Sequence, residues 1–195
     1  MLDTQATGRQ KPLDRRVKRT RQAIKTSFLA LARDKPVDQI TVKEVMGLAD
    51  VNRATFYSHF SNISALVSAL EEDVAAAVIQ SAERSVARST DPTEVADAIF
   101  GAIISDSEIF NWLVSPNSTG RAKRLICEYA RTHCVINWTQ GSKLDRNEAD
   151  CLFDFLFEGC FGILNRWSVG SSNAESEKAK ATLHSLIGAT LTVLD

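Results

Sequence analysis

From Asn52 to His59 the sequence reads Asn-Arg-Ala-Thr-Phe-Tyr-Ser-His. Drawn as a short helix, it turns Phe56 and the following Phe60 inward and shows Asn52, Arg53, Thr55, Tyr57, Ser58 and His59 on its outer side. That outer set holds hydrogen-bond donors and amphipathic rings and no acidic residue. Groups of this kind reach phosphates and the edges of bases in a groove. Upstream, Thr41 and Glu44 have the spacing of a capping box, and Lys43 adds an exposed cation suited to a phosphate in the first turn of that helix. The helix starts at Thr41 and Asn52 would add amides and positive dipole ends. Two helices of about two turns each, joined by three or four residues, make a helix-turn-helix over 41–60. On spacing alone, a plain helical hairpin in an all-α core remains the other reading.

Other chemistries find less support. No nucleophile, base and orienting residue fall in a readable constellation, and there is no Gly-rich phosphate loop and no paired carboxylate in a cleft, so an enzyme is not expected. The four cysteines, Cys127, Cys134, Cys151 and Cys160, form no CxxC pair. Cys127, His133 and Cys134 lack a fourth ligand, so no metal site and no cofactor are expected. The thiols fit a reduced, cytoplasmic protein in which cysteine serves as a small apolar residue. No apolar run approaches the length of about 20 residues that a membrane span needs, and the N-terminus lacks the apolar core of a secretory signal.

Positioning the outer face of 52–59 requires a small core around it. A helix over 14–34 would bring Val17, Ile24, Phe28 and Leu31 to one face and leave Arg15, Arg16, Lys18, Arg19, Arg21 and Lys25 mostly on others. It ends before Pro36. Ile24, Phe28, Leu31, Ile40, Val45, Val51, Phe56 and Phe60 would fill the space between that helix, the helix-turn-helix and the start of a long helix from Ser61 to about Arg88. Capping signals at Asp91–Glu94, Asp145–Glu148 and Ser172–Glu175 mark further helix starts. With 9 Gly and 4 Pro in 195 residues and no alternating strand pattern, the chain reads as all-α with about nine helices. The expected organisation is a flexible basic arm over 1–13, a DNA-binding domain over 14–73 and a larger helical domain over 74–195.

Charge follows the same division. The net charge of −1 combines a surplus of 6 positive charges over residues 1–60 with a surplus of 7 negative charges over 61–195. A basic third would attract a polyanion, and the acidic remainder would not.

From Thr20 to about Asp73 the chain resembles the DNA-binding domain of TetR-family transcriptional regulators. The likeness rests on Thr20, Ile24, the run Ile40-Thr41-Val42, the pair Ala65-Leu66 and above all the ten residues Val51 to Phe60. In that family this run usually reads V-S-R-G-T-L-Y-x-H-F. The resemblance implies that Thr41 touches phosphate, that Arg53, Ala54 and Tyr57 approach base edges, and that Asn52, Thr55, Ser58 and His59 hold the backbone. Three positions depart from the pattern. Asp50 stands where the turn usually has Gly, Ala54 replaces a Gly inside the reading helix, and Ile63 replaces a Lys that would meet phosphate. The basic residues over 9–21 would compensate by entering an adjacent groove.

Further along, Phe157, Gly159, Gly162 and Trp167 followed by an amphipathic last helix are similar to one branch of the same family, in which the last two helices pair with their twins. The residues suggest this independently. The helix over 146–169 is apolar on a second face through Phe153, Phe157 and Phe161, which would need a partner; with Leu183, Ile187 and Leu191 they are the expected dimer interface. A helix buried centrally in a monomer is the alternative. A two-fold dimer would read a palindromic operator. Family precedent also suggests a small apolar effector, with Phe100, Ile103, Phe110, Trp112, Ile126, Tyr129, His133 and Trp138 as candidate lining, although such residues are also ordinary core. The expected function is thus that of a cytoplasmic repressor released by an effector. A helical ligand-carrying or interaction protein without DNA binding is the competing expectation.

Overall fold

The computed structural model describes residues 12–86, 94–105, 107–167 and 173–192. The expected arm over 1–13 therefore lies almost wholly outside the described residues, as do the capping signals at Asp91 and Ser172. Nine α-helices and one 3₁₀ turn account for the described chain, which contains no strand: α1 (Pro12–Ala32), α2 (Val42–Ala49), α3 (Arg53–His59), α4 (Ile63–Val86), α5 (Glu94–Ser105), α6 (Ser107–Leu113), α7 (Arg121–Gly141), α8 (Arg146–Trp167) and α9 (Asn173–Leu191). The 3₁₀ turn, Val37–Gln39, follows Pro36 and was not expected from the sequence. Two compact units emerge, Met1–Leu70 and Glu71–Asp195.

In the first unit, Ile24 and Phe28 of α1, Ile40, Val45 of α2, Phe56 of α3, Phe60, and Leu66, Val67 and Leu70 of α4 are buried. Leu31 and Val51 are half-buried. Val17 departs from expectation: it is 46 % exposed, because the basic first half of α1 extends past the core. Lys25 departs in the opposite sense. Its side chain is buried, and Nζ donates to the Ala69 carbonyl at 2.9 Å, tying α1 to α4.

Local chemistry fixes the element boundaries. Thr41 Oγ1 accepts from the Glu44 N–H, and Glu44 Oε2 accepts from the Thr41 N–H at 2.9 Å, so the capping box is complete. At the other end of α2, Asp50 takes the left-handed conformation, φ 52° and ψ 48°. Aspartate tolerates this region better than most residues, which is how the turn forms without the usual glycine. Asn52 then caps α3 by accepting from the Thr55 N–H at 2.8 Å, and Asn62 caps α4 through Ala65.

In the second unit, α5 packs on α6, α7 and α9, and α8 packs between α7 and α9. Its core is aromatic: Phe100, Trp138, Phe153, Phe157 and Phe161 form a connected set of ring contacts. Glu71 of α4 is fully buried here, where it receives hydrogen bonds from Ser118 Oγ, the Thr119 N–H and Thr119 Oγ1. Beside it Gly120 starts α7 in the left-handed conformation, φ 75°, which glycine adopts without strain. Asp145 and Glu148 cap α8 reciprocally at 2.8 and 2.9 Å, as the sequence indicates.

Candidate nucleic-acid interface

Helix α3 is held from beneath by two aromatic residues. Phe56 and Phe60 are both buried, with ring centroids 6.1 Å apart, and the Arg21 guanidinium of α1 lies 4.6 Å from the Phe60 centroid. With that side fixed, the helical period leaves Arg53, Ala54, Tyr57 and Ser58 exposed on the other, next to exposed Asn52. Thr55 and His59 are half-buried at the margins. The exposed face therefore comprises two rows one turn long, Arg53 with Tyr57 and Ala54 with Ser58. No acidic side chain belongs to α3.

Several of these groups are already engaged. Thr41 Oγ1 donates to Glu44 Oε2 at 2.8 Å as well as accepting from the Glu44 amide, so its hydroxyl proton is committed to the capping box. Lys35 adds a 2.5 Å ion pair to the same carboxylate. The Lys35 bond, followed by the bonds from Thr41, holds the Glu44 carboxyl at about 2, well below its ordinary value. The Ser58 hydroxyl donates to the Thr55 carbonyl at 2.7 Å. Asn52 spends its carbonyl oxygen on the cap and retains its NH₂ as a donor. Lys43 is exposed in the first turn of α2. Arg53 is exposed, and its guanidinium stands 5.4 Å from the centroid of the Tyr57 ring.

The residues expected to line an effector pocket do not all converge. An apolar cavity in the second unit is bounded by Ile99 and Phe100 of α5, Ala130, Cys134 and Trp138 of α7, and Phe153, Leu156 and Phe157 of α8. Its free space is about 20 Å³. Of the candidates, Phe100 and Trp138 face it. Ile103 and Ile126 belong to the same buried core, Trp112 is buried, and Tyr129 is half-buried. His133 stands outside, exposed and 4.4 Å from Tyr129 between ring centroids. The Phe110 side chain is outside the description. Burial pushes the Cys134 thiol up to about 12 and raises Cys127 as well, so both are held as thiols. Among the described residues no cluster of His, Cys, Asp or Glu could hold a metal ion.

Most of the residues expected at the dimer face turn inward. Phe153, Phe157 and Phe161 are 3, 3 and 6 % exposed and pack into their own protomer, as do Leu183 and Ile187. The Leu191 side chain is outside the description. Both apolar stripes of α8 were legible in the sequence, but their order was not: packing against α5 and α7 takes the phenylalanine stripe. What α8 presents outward instead is Phe155, 69 % exposed, flanked by exposed Gly159 and Gly162. On α9, Leu186 is 46 % exposed next to Gly188. A Cβ at any of these three glycines would meet no other atom within 4 Å.

Comparison with known proteins places this geometry. No family model matches the chain. A curated relative, the uncharacterized HTH-type transcriptional regulator YxbF of Bacillus subtilis (strain 168), is 35% identical over 72 residues, which is 36% of this chain and 19% of that protein. The chain thus aligns with about a fifth of that relative's length. Among solved structures, a TetR-family transcriptional regulator from Mesorhizobium loti superposes with a TM-score of 0.68 at 18% identity, covering 94% of this chain and 98% of the other. FadR of Thermus thermophilus, a TetR-family repressor in complex with lauroyl-CoA, gives a TM-score of 0.55 at 18% identity, covering 89% and 92%. The chain has the TetR fold. Among the described residues no helix is long and apolar enough to cross a membrane.

Proposed function

We propose that this chain is a sequence-specific DNA-binding transcriptional regulator of the TetR type, a homodimeric cytoplasmic repressor that reads a palindromic operator and is released by a small apolar effector. The observation that carries the reading is the outer face of α3. Arg53, Ala54, Tyr57 and Ser58 are exposed on a helix free of acidic residues and fixed from beneath by Phe56 and Phe60, within the fold these regulators share. A helix so presented can enter a major groove, with phosphate contacts from Lys43 and Asn52 setting its register. The opposite charges of the two parts of the chain favour the same orientation.

Support for a homodimer comes from the outward faces of α8 and α9. Phe155 and Leu186 are large apolar side chains left to solvent, and the neighbouring glycines permit close helix approach. A twin copy would cover them and set two copies of α3 on one operator. The apolar cavity between α5, α7 and α8 suits an apolar effector, as the acyl-CoA complex of FadR illustrates for another protein of this fold. Its present volume requires the helices to part on binding, which is what would couple a ligand to the spacing of the reading heads. The reading assigns the chain no enzymatic activity. A ligand carrier without DNA binding would leave the face of α3 without a role.

Selection from a pool of random duplexes tests the proposal. Full-length protein should enrich a palindromic consensus. A pool that stays unenriched removes the reading.

A further inference from the structure

Resting on the DNA-binding reading above, we propose that Arg53 and Tyr57 act as one recognition unit that selects guanine at one symmetry-related position in each half-site. The structure presents the two side chains in the same exposed row, one helical turn apart, with the guanidinium 5.4 Å from the ring centroid. Stacking on an aromatic face is a favoured state of arginine, and the planar fork loses less freedom on binding when it is already held. The ring therefore restricts the positions from which the guanidinium is offered. A planar pair of donors matches the O6 and N7 acceptors of guanine, which lie side by side at the major-groove edge.

Elimination among the neighbours leads to the same residue. The exposed row beside Arg53 offers Ala54, which has no hydrogen-bonding group, and Ser58, whose hydroxyl proton is committed to the Thr55 carbonyl. The Asn52 carbonyl is committed to the cap of α3. Thr55 and His59 are half-buried. Among these side chains Arg53 alone carries the planar pair of donors that matches guanine O6 and N7. Below the ring, Phe56 meets Tyr57 edge-on at 5.5 Å between centroids. The buried aromatic floor thereby orients Tyr57, and Tyr57 orients Arg53. Tyr57 is a positioning residue in this arrangement, whatever its hydroxyl also touches.

Binding selections with the full-length wild type, Arg53→Ala, Tyr57→Phe and Tyr57→Leu separate the parts, each followed by titration of the selected duplex and of one carrying 7-deazaguanine, which lacks the N7 acceptor. Folding is checked by thermal melting, which substitutions at exposed side chains should leave near the wild type. The wild type should prefer guanine at one position per half-site by about 5- to 150-fold, and the 7-deaza duplex should bind more weakly. Arg53→Ala should erase both the preference and the 7-deaza effect. Tyr57→Phe keeps the ring and should keep the preference; Tyr57→Leu should lower it about two- to fivefold. A consensus whose guanine persists in Arg53→Ala overturns the assignment to Arg53, and a guanine preference unchanged in Tyr57→Leu overturns the paired unit. No enriched duplex for the wild type overturns the DNA-binding reading and this inference together.

Discussion

Replacing Glu71 tests how the second unit holds itself together, and the size of the effect follows from what the carboxylate binds. The side chain is fully buried and receives Ser118 Oγ and the Thr119 N–H at 2.8 Å, together with Thr119 Oγ1. The two hydroxyls can rotate to other acceptors, but the Thr119 amide cannot. Leaving this part-buried donor without its partner costs about 0.5 to 1.5 kcal/mol. The space vacated by the side chain adds about 1 to 2 kcal/mol. Glu71→Ala should therefore lower the unfolding free energy by about 1.5 to 3.5 kcal/mol. Glu71→Gln keeps the shape and one carbonyl acceptor, and the Thr119 hydroxyl can turn to accept from the new NH₂. That variant should cost about 1 kcal/mol. Urea titration followed by tryptophan fluorescence suits the question, because Trp112 and Trp138 belong to this unit. Equal losses for the two variants, or an alanine variant within about 0.5 kcal/mol of wild type, would refute the reasoning.

Lys43→Ala should weaken binding to all duplexes alike and flatten the slope of log affinity against log salt by about one, measured by titration at several salt concentrations; an unchanged slope contradicts a phosphate contact. Phe155→Lys should shift the protein toward monomer in sedimentation without lowering protomer stability, whereas Phe157→Ala should destabilise by about 3 to 5 kcal/mol; the reverse pattern would restore the phenylalanine stripe as the interface. Glu44, held at about 2 by Lys35 and the capping box, contributes stability that is present above its unfolded value of about 4.5 and lost as pH falls toward 2. Acid unfolding of wild type and Glu44→Gln should accordingly differ above pH 4.5 and converge toward pH 2, and parallel curves throughout would argue against that linkage.

Local signals carried the fold well. Thr41 with Glu44, Asn52, and Asp145 with Glu148 are contacts three residues apart, and each sits where the spacing of side chain and amide demanded. The inward pair Phe56 and Phe60 was legible for the same reason: one short helix has one buried side. Tertiary choices were less legible. Lys25 lies at a position whose charge suggested solvent, yet a carbonyl 44 residues away receives its ammonium. Glu71 is buried because Ser118 and Thr119 supply donors, a pairing that no periodicity announces. On α8 the period showed two apolar stripes and could not say which one the neighbouring helices would claim. His133 and Trp138 share a helix but not a side, and only packing against α5 and α8 draws Trp138 into the cavity lining.

In the proposed complex α3 lies in the groove of duplex DNA, one copy per half-site. Methylation-interference footprinting of the selected operator tests this most directly. It should show two protected major-groove patches on one face of the duplex, their centres about 10 base pairs or a multiple of that apart, and both should vanish together when Arg53 and Tyr57 are replaced. Patches on opposite faces, a single patch, or interference confined to the minor groove would contradict it.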